Sequence, residues 1–562
     1  MIKTSQKSSL LLWILPLVFL GTFFFYPLGS IFELSFSRSE GGILVSFWDS
    51  ISSPTIQHVL GFTINQALLS TILTLLVGLP GAYIFGKHEF KGKKLLRALT
   101  GVPFVMPTLV VAAGFYALLG PSGWINQVLM RVLEIDTPPL EFVNSYAAIL
   151  TAHVFYNTTI VLRVVGDYWS RLDPRLEGAA RILGANRWQT LKEITGPLLL
   201  PAISAAALLV FIFDFTSFGV ILVLGGPQFA TMEVEIYYQT ISLFNLPLAA
   251  TLSILQVGFM LTLTILYTRL TTKLNQPINL SARIQTQKPL HTARSKFLAG
   301  IFIMLLLVFL ISPLAALAGK SITSSGDTEG VFTLAYYQAL GLNPQESLFY
   351  VPPTTALGVS LIYGLITVTL ALVLGIPAAI ALSKKNLNLL DKILDPVLML
   401  PLGTSAVTLG LGFLVALDHP PLNLRTSPLL IPIAHTLVAF PFVVRSLVPA
   451  LSSIQPELRQ AAAVLGASPR RIFREIDLPL IGRALLVAAS FAFTISIGEF
   501  GASSLITRPE YPTVPIVIFR LLSRPGALNY GQAMALSTIL MCAVLGGMIL
   551  MEQFRLGDVG EF

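Results

Sequence analysis

The sequence has 562 residues, of which 54% are apolar and 11% charged, and its formal net charge is +8. Charged residues are too few to cover the surface of a soluble protein of this length, so the composition predicts a polytopic membrane protein. The single cysteine, Cys542, excludes a disulfide framework and a cysteine-based metal site, and we expect no bound metal.

Apolar runs of about 20 residues are long enough to cross about 30 Å of hydrocarbon. About twelve such runs begin near Leu10, Phe62, Ala98, Val143, Ala202, Leu246, Phe297, Leu357, Ile393, Leu430, Ala484 and Ala533. The first run continues without a small-residue cleavage site, which predicts a membrane span and not a signal peptide. The expected fold is therefore an all-α polytopic membrane protein with two six-helix halves.

The two predicted halves are residues 1–275 and 297–562, joined by a polar, basic cytoplasmic linker at 276–296. With the N-terminus inside, the outer loops contain few basic residues: Arg38, Arg131, Lys320, Arg425, Arg508, Arg520 and Arg524. The other lysines and arginines fall on the inner side. This distribution predicts cytoplasmic N- and C-termini, and it explains the positive charge without nucleic acid.

The two halves contain an internal repeat. The segment Ala179-Ala180 to Gly184 recurs as Ala461-Ala462 to Gly466, an offset of 282 residues (466 − 184). Ala152-His153 and Ala434-His435 match at the same offset. Gly78-Leu79-Pro80 pairs with Gly375-Ile376-Pro377 at an offset of 297 (375 − 78). Six spans return the chain to the same side, so the pattern indicates a parallel duplication with a pseudo-twofold axis along the membrane normal.

Each half contains one polar, cytoplasmic loop, at residues 170–197 and 452–479, which we call the first and second coupling loops. Asp173 and Pro174 predict the start of a short helix, Gly184 its end, and Asn186 the cap of a second helix. Leucines beside alanines on one helix face would let a partner approach closely. The alternative is an amphipathic helix lying on the bilayer surface. The candidate partner-binding residues are Glu177, Ala179, Ala180, Leu183, Gly184, Ile194, Pro197, Glu457, Ala461, Ala462, Leu465, Gly466, Ile476 and Pro479.

The pattern Ala-Ala-x-x-x-Gly, followed by Ile-x-x-Pro, resembles the EAA loop of permease subunits of binding-protein-dependent ATP-binding-cassette (ABC) importers. The resemblance implies the type I permease fold, a location in the bacterial inner membrane and loops that dock onto an ATPase. The family's usual glutamate is Gly178 in the first loop and Gln460 in the second. Glu177 and Glu457 lie nearby and are candidates to replace it. The fused arrangement is similar to permeases of the thiamine and ferric-iron uptake group, and segments 122–127, 152–157, 215–218 and 224–227 look most like the thiamine permeases.

Two carboxylates interrupt apolar spans, Asp214 and Glu499. Buried charges in a membrane cost about 2.5–3.5 kcal/mol on insertion scales, so such residues are functional candidates. We expect them to face the translocation pathway with Thr216, Ser217 and Ser496 and to favour a cationic solute. The alternative is a structural role in hydrogen bonds between helices. His153 and His435 hold equivalent positions, where interhelical hydrogen bonds are the expected role.

Residues 81–88 nearly fit a phosphate-binding loop, but His88 replaces the Ser or Thr that holds magnesium. No nucleophile–base constellation is evident, so the chain is expected to be a transport subunit and not an enzyme. The resemblance places ATP and Mg on a separate cytoplasmic ABC ATPase dimer, and this chain is expected to bind no cofactor itself.

The resemblance also implies a periplasmic or lipid-anchored substrate-binding protein, received by outer loops 121–142, 226–240 and 508–525. The expected solute is thiamine, a thiamine phosphate or ferric iron. A twelve-span secondary transporter driven by ions through Asp214 and Glu499 is the alternative, but it leaves the duplicated loop unexplained. A non-transporting membrane scaffold would explain the loops but not the two acids.

Overall fold

The computed structural model describes residues 6–36, 51–274, 287–290, 292–324, 330–342, 351–384, 389–420 and 422–554. Most of the predicted linker, 276–296, lies outside these residues. The helices up to the linker, in chain order, are α1 Gln6–Leu20, α2 Tyr26–Phe36, α3 Pro54–Lys87, α4 Lys93–Val105, α5 Thr108–Leu119, α6 Trp124–Leu133, α7 Tyr146–Trp169, α8 Pro174–Ile182, α9 Arg187–Gln189, α10 Gly196–Phe215, α11 Gly219–Leu224, α12 Met232–Tyr237 and α13 Leu246–Leu274.

The helices of the second half follow the same order. They are α14 Ala293–Ser321, α15 Ala335–Ala339, α16 Pro353–Leu382, α17 Leu389–Met399, α18 Ala406–Ala416, α19 Leu430–Ser452, α20 Pro456–Val464, α21 Pro469–Ile472, α22 Leu478–Gly498, α23 Gly501–Ile506, α24 Val514–Leu522 and α25 Ala527–Phe554. Short π-helical segments lie at Gly21–Phe25, Thr190–Thr195, Tyr238–Ser242 and Phe473–Asp477, and a 3₁₀ turn at Leu400–Gly403. Two short strands, β1 His88–Glu89 and β2 Lys288–Pro289, pair in parallel.

Eleven helical segments in the described residues are long and apolar enough to span a membrane, and a bent pair makes a twelfth. The prediction of about twelve spans is confirmed. The bent pair joins Leu389–Gly403 to Ala406–Ala416 at 94°. The run expected from Ala98 also breaks, because Met106 is extended (φ −67°, ψ 138°) and precedes Pro107, which disfavours helix.

The chain forms two compact units. The first unit contains Ile51–Glu235 and Gly258–Ser321, and the second contains Met1–Ser50, Ile236–Val257 and Ile322–Phe562. In the first unit α3 packs against α7 and α10, and α14 packs against α5. In the second unit α16 packs against α19 and α22, and α1 packs against α16. Helix α1, which opens the first half of the sequence, therefore belongs to the second unit. Helix α14, which opens the second half of the sequence, belongs to the first unit.

Small residues bring the main helices of each unit close together. In the first unit a Cβ on Gly78 would lie 2.6 Å from the Cβ of Val161. In the second unit a Cβ on Gly375 would lie 2.6 Å from Cγ1 of Val443. The repeated Gly-x-Pro segments thus allow the same close approach of α3 to α7 and of α16 to α19. Each coupling loop follows directly after α7 or α19 in the chain.

In the second unit α1 is fixed by a buried polar contact. The indole Nε1 of Trp13 donates to the Asp391 carboxylate at 2.8 Å, and both residues are fully buried. A buried polar group costs free energy unless it is hydrogen-bonded, so this contact favours a single position of α1 along α17.

Candidate functional site: coupling loops and intramembrane polar clusters

The first coupling loop begins with the predicted capped helix. The Asp173 side chain accepts a hydrogen bond from the backbone N–H of Arg175 at 2.9 Å, and Pro174 occupies the first turn of α8. Asn186 caps α9 through a reciprocal capping box with Gln189. Caps of this type contribute about 1 kcal/mol each. The two helices predicted from the sequence are therefore present, with the predicted caps.

Gly184 ends α8 in the left-handed conformation, with φ +91°. The N–H of Ala185 bonds to the carbonyl of Ala180 at 3.0 Å, and the N–H of Gly184 bonds to that of Arg181 at 3.0 Å. This pair of bonds is a Schellman motif, which satisfies carbonyls that the helix end leaves unpaired. A side chain at Gly184 would be strained, which explains the choice of glycine.

The second coupling loop repeats this geometry position by position. Gly466 has φ +82°. The N–H of Ala467 bonds to Ala462 and that of Gly466 to Ala463, both at 3.0 Å. The Oγ of Ser468 accepts from the N–H of Arg471 at 3.4 Å. Both loops therefore end their first helix, α8 or α20, with the same turn.

A feature that the sequence did not predict follows each turn. The chain enters the membrane helix through a π-helical segment, Thr190–Thr195 before α10 and Phe473–Asp477 before α22. Wide turns of this kind occur often at functional sites, because the extra residue shifts the register of the side chains. Spacing in the sequence does not distinguish such a turn from an ordinary helix.

The tip of each loop exposes adjacent apolar side chains. Ile182 and Leu183 are each 88% exposed, and Val464 and Leu465 each 87%. Trp188, in the first loop alone, is 70% exposed. Large apolar side chains presented together in a polar loop mark an interaction surface.

The remaining predicted loop residues divide by burial. Exposed ones are Ala179, Gly184, Pro197, Glu457, Ala461, Gly466 and Pro479, half-buried ones are Glu177, Ile194, Ala462 and Ile476, and Ala180 is buried. Glu177 does not extend from the loop, because its carboxylate accepts from Lys87 Nζ at 2.6 Å and from Thr195 Oγ1 at 2.9 Å. Glu457 is exposed and free to reach a partner surface.

In the first unit Asp214 belongs to a buried polar cluster. Its Oδ1 accepts from Asn157 Nδ2 at 2.7 Å, and its main-chain carbonyl accepts from Gln66 Nε2 at 2.8 Å. His153 lies 3.0 Å from Ser70 Oγ through Nδ1 and 2.8 Å from Ser217 Oγ through Nε2. The cluster joins α3, α7 and the end of α10.

In the second unit Glu499 is the centre of the corresponding cluster. Its Oε1 accepts from the N–H of Ala502 at 2.8 Å, and its Oε2 accepts from the N–H of Ser503 at 3.1 Å and from the Ser503 hydroxyl at 2.8 Å. His435 Nε2 lies 3.1 Å from the same Oε2. His435 Nδ1 lies 2.8 Å from Ser496 Oγ.

The two clusters exchange their acid and hydroxyl positions. Asp214 is equivalent to Ser496, and Ser217 to Glu499, at the offset of 282 (496 − 214). His153 contacts Ser217 through Nε2 and lies 3.4 Å from Asp214 Oδ1 through Nδ1. His435 contacts Ser496 and Glu499, so each histidine meets both of the exchanged positions. Asp214 and Glu499 are 1% and 8% exposed. Asp214 is hydrogen-bonded to Asn157 of α7, whereas Glu499 lies against His435 of α19 and also accepts the backbone N–H groups at the start of α23. The histidines have the role expected for them.

The pathway candidates differ in exposure. Thr216 and Ser217 are half-buried, whereas Ser496 is buried with the acids. The Thr216 hydroxyl donates to the carbonyl of Ile212 at 3.0 Å, within its own helix. The half-buried hydroxyls of Thr216 and Ser217 thus lie at the point where α10 ends and α11 begins.

A family model for the inner membrane component of binding-protein-dependent transport systems matches residues 78–324 and 371–554. The chain belongs to this family. The two matched regions include both coupling loops, both histidines and both buried acids, so the repeat seen in the sequence is a duplicated permease domain. The protein is accordingly a multi-pass ABC importer permease of the inner membrane.

Curated relatives support the same assignment. The chain is 27% identical over 501 residues to "Thiamine transport system permease protein ThiP" of Haemophilus influenzae, covering 87% of each chain. The Escherichia coli protein of the same name is 25% identical over 490 residues, again with 87% of each chain covered. A "Probable ABC transporter permease protein y4fN" of Sinorhizobium fredii is 26% identical over 540 residues and 92% of each chain.

Among solved structures, a bacterial ABC transporter involved in the import of the acidic polysaccharide alginate aligns with 48% of this chain and 98% of its own. The TM-score is 0.40 and the identity 17%. A score of this size carries no weight for the fold, which rests on the duplicated family match and on the membrane-spanning helices.

Proposed function

We propose that this permease moves a small cationic solute, with thiamine or a thiamine phosphate first and ferric iron second, from an outer binding protein into the cytoplasm. Transport would be driven by a separate cytoplasmic ABC ATPase dimer that engages both coupling loops. ATP and Mg would bind to that ATPase, and the N- and C-termini of this chain would be cytoplasmic. The observation that carries the proposal is a duplicated short helix, α8 and α20, which ends in the same Schellman turn and exposes an apolar tip in each copy. We call α8 and α20 the docking helices.

The tips supply what a docking surface needs. Burying one leucine side chain in a partner contributes about 1.5–3 kcal/mol, and Leu183 and Leu465 are almost fully exposed in their own units. The stiff Schellman turns at Gly184 and Gly466 hold these side chains at the helix end, which lowers the ordering cost of binding. Ala179 and Ala461 leave room beside them for a close approach.

The solute assignment is supported by the relatives named as thiamine permeases and by the two intramembrane acids. We include the group Asp214, Thr216, Ser217, Ser496 and Glu499 in the proposed pathway. In the first unit Thr216 and Ser217 would offer hydroxyl oxygens to the solute, and the buried Asp214 of the same segment would provide a negative field that favours a cation. Ser496 and Glu499 would supply the corresponding hydroxyl and acid in the second unit. The ion-driven alternative is not favoured, because it gives no role to the family's duplicated loop.

Uptake into proteoliposomes tests the proposal. The permease is reconstituted with an ABC ATPase and a binding protein from the same organism, and labelled thiamine, thiamine pyrophosphate and ferric iron are offered in turn. The proposal predicts uptake that needs ATP and both partners, with a thiamine compound preferred. Uptake without the ATPase, driven by a proton or sodium gradient, would contradict it.

A further inference from the structure

A three-way polar link in the first unit attaches the docking helix to the membrane helices. The Glu177 carboxylate of α8 accepts from Lys87 Nζ, at the end of α3, at 2.6 Å. It also accepts from Thr195 Oγ1, the last residue of the π-helical segment before α10, at 2.9 Å. The side chains of Lys87 and Glu177 are 28% and 19% exposed, so the link is largely shielded from water.

The second unit contains a link between the same two positions, with different residues. Arg459 Nε of α20 donates to Asp477 Oδ1 at 2.8 Å. Arg459 and Asp477 are the repeat equivalents of Glu177 and Thr195, since 459 − 177 and 477 − 195 are both 282. Asp477 is likewise the last residue of the π-helical segment before its membrane helix. Both residues differ between the copies, yet the polar contact is present in each.

Apart from the polar link, α8 and α20 make few contacts with buried residues in the part of the chain that the structure describes. Within α8 Ala180 is the buried residue, and α20 has none. A small cavity lies beneath α8, lined in part by Lys87, Trp169, Leu176 and Ile194. A nine-residue helix is not stable alone, and its direction relative to the membrane helix depends on the few contacts it makes. The polar link is the strongest of these contacts, because charge-assisted hydrogen bonds are about twice as strong as neutral ones.

We propose that residues 177 and 195, and their equivalents 459 and 477, are positioning residues that make each docking helix move as one body with α10 or α22. The inference rests on the proposed function, since it concerns how movement of the ATPase reaches the membrane helices. The π-helical segment places Thr195 and Asp477 opposite the docking helix. The link therefore joins the docking helix directly to the start of the membrane helix, in addition to the covalent connection through the turn at Gly184 or Gly466.

The exchange of residues between the copies provides the test. Glu177→Arg breaks the link in the first unit and places a second positive charge beside Lys87. Adding Thr195→Asp recreates in the first unit the arginine–aspartate pair of the second unit. The new aspartate can accept from the new arginine and also from Lys87. The matched control is Glu193→Arg, which makes the same charge change at an exposed position of the π-helical segment.

Four quantities are measured on the reconstituted complex. They are the recovery of the ATPase in co-purification, the basal rate of ATP hydrolysis, the stimulation of that hydrolysis by loaded binding protein, and the rate of ATP-driven uptake. Glu177→Arg is expected to retain the ATPase and basal hydrolysis but to lose uptake and stimulation by about tenfold, which corresponds to about 1.4 kcal/mol. The double variant is expected to recover uptake to within about twofold. The Glu193→Arg control should keep wild-type stimulation.

The inference would be overturned by wild-type uptake in Glu177→Arg, or by a double variant that is no better than the single one. A loss of ATPase binding in Glu177→Arg would also overturn it, because the residue would then act in docking. If the wild-type protein binds no ATPase, the proposed function itself fails, and the inference fails with it. The thermal unfolding midpoint of each variant identifies any that misfold, and for those the reciprocal pair Arg459→Glu with Asp477→Thr in the second unit decides.

Discussion

The two buried acids differ in how many donors they satisfy, and this difference predicts unequal effects of neutralising them. In Glu499→Gln the NH2 of the new amide must take the place of one carboxylate oxygen. It replaces either Oε1, which faces the Ala502 N–H, or Oε2, which faces the Ser503 N–H and hydroxyl. Either orientation places one donor against another. An unsatisfied buried donor costs about 1–3 kcal/mol, so we expect a loss of stability of that size.

Asp214→Asn has no such conflict. The amide oxygen can keep the hydrogen bond from Asn157, and the amide nitrogen can take the place of Oδ2. Oδ2 already lacks a hydrogen-bond partner among the described residues, so one unsatisfied buried atom replaces another and no hydrogen bond is lost. The expected loss of stability is below about 1 kcal/mol. The two variants therefore make the same chemical change, a carboxylate to an amide, in the two corresponding polar clusters, with different effects on stability.

The assay compares thermal unfolding midpoints of the purified variants in detergent and then uptake per folded molecule. Glu499→Gln should unfold at a clearly lower temperature than Asp214→Asn. Equal midpoints, or a lower one for Asp214→Asn, would refute the reasoning from donor counts. Unchanged uptake of the cationic solute in both variants would contradict the proposed place of these acids beside the pathway.

Three further substitutions test local features of the structure. Gly466→Ala should cost about 1–2 kcal/mol, because alanine is strained at φ +82°, and faster hydrogen exchange at the end of α20 would show it. Trp13→Phe removes the indole donor from the buried Asp391 carboxylate and should reduce the free energy of unfolding by about 1–3 kcal/mol, which a lower unfolding midpoint would show. Gly319→Ala would bring a Cβ to within 2.2 Å of the Trp124 ring, so the ring must move and the tryptophan fluorescence should change.

Each of these substitutions has a control in the same chain. Gly178→Ala lies within α8 with nothing within 4 Å of its new Cβ, and should be neutral or stabilising. Leu11→Phe changes a side chain in the same helix as Trp13 that is 68% exposed. Gly300→Ala adds a methyl group to α14, the helix of Gly319, in open space. A loss of stability in these controls equal to that of the test variants would contradict the local explanations.

Local chemistry made much of the coupling loops predictable. The N-cap at Asp173, the capping box at Asn186 and the helix end at Gly184 follow from short-range preferences that need no knowledge of the fold. The repeat at a constant offset then placed the second loop. Apolar runs of span length were equally direct, because their number depends on bilayer thickness and not on packing.

Features that depend on tertiary contacts were not predictable in the same way. Glu177 was a candidate for the ATPase contact because it lies beside the motif, but its carboxylate meets Lys87, which is 90 residues away in sequence. The placement of α1 in the second unit could not be read from its sequence, since a helix that is apolar on every side indicates no partner. The break at Met106 was indicated by Pro107, but a proline in a membrane helix is as consistent with a kink.

The central claim is that two exposed apolar tips dock onto a separate ATPase, and co-purification tests it most directly. The double variant Leu183→Glu with Leu465→Glu changes side chains that are 88% and 87% exposed, so folding should be preserved. The control is Val331→Glu, which is 60% exposed outside both loops. The account predicts that a candidate ABC ATPase co-purifies with the wild type and the control but not with the double variant. Equal recovery of the ATPase with the double variant, or none with the wild type, would contradict it.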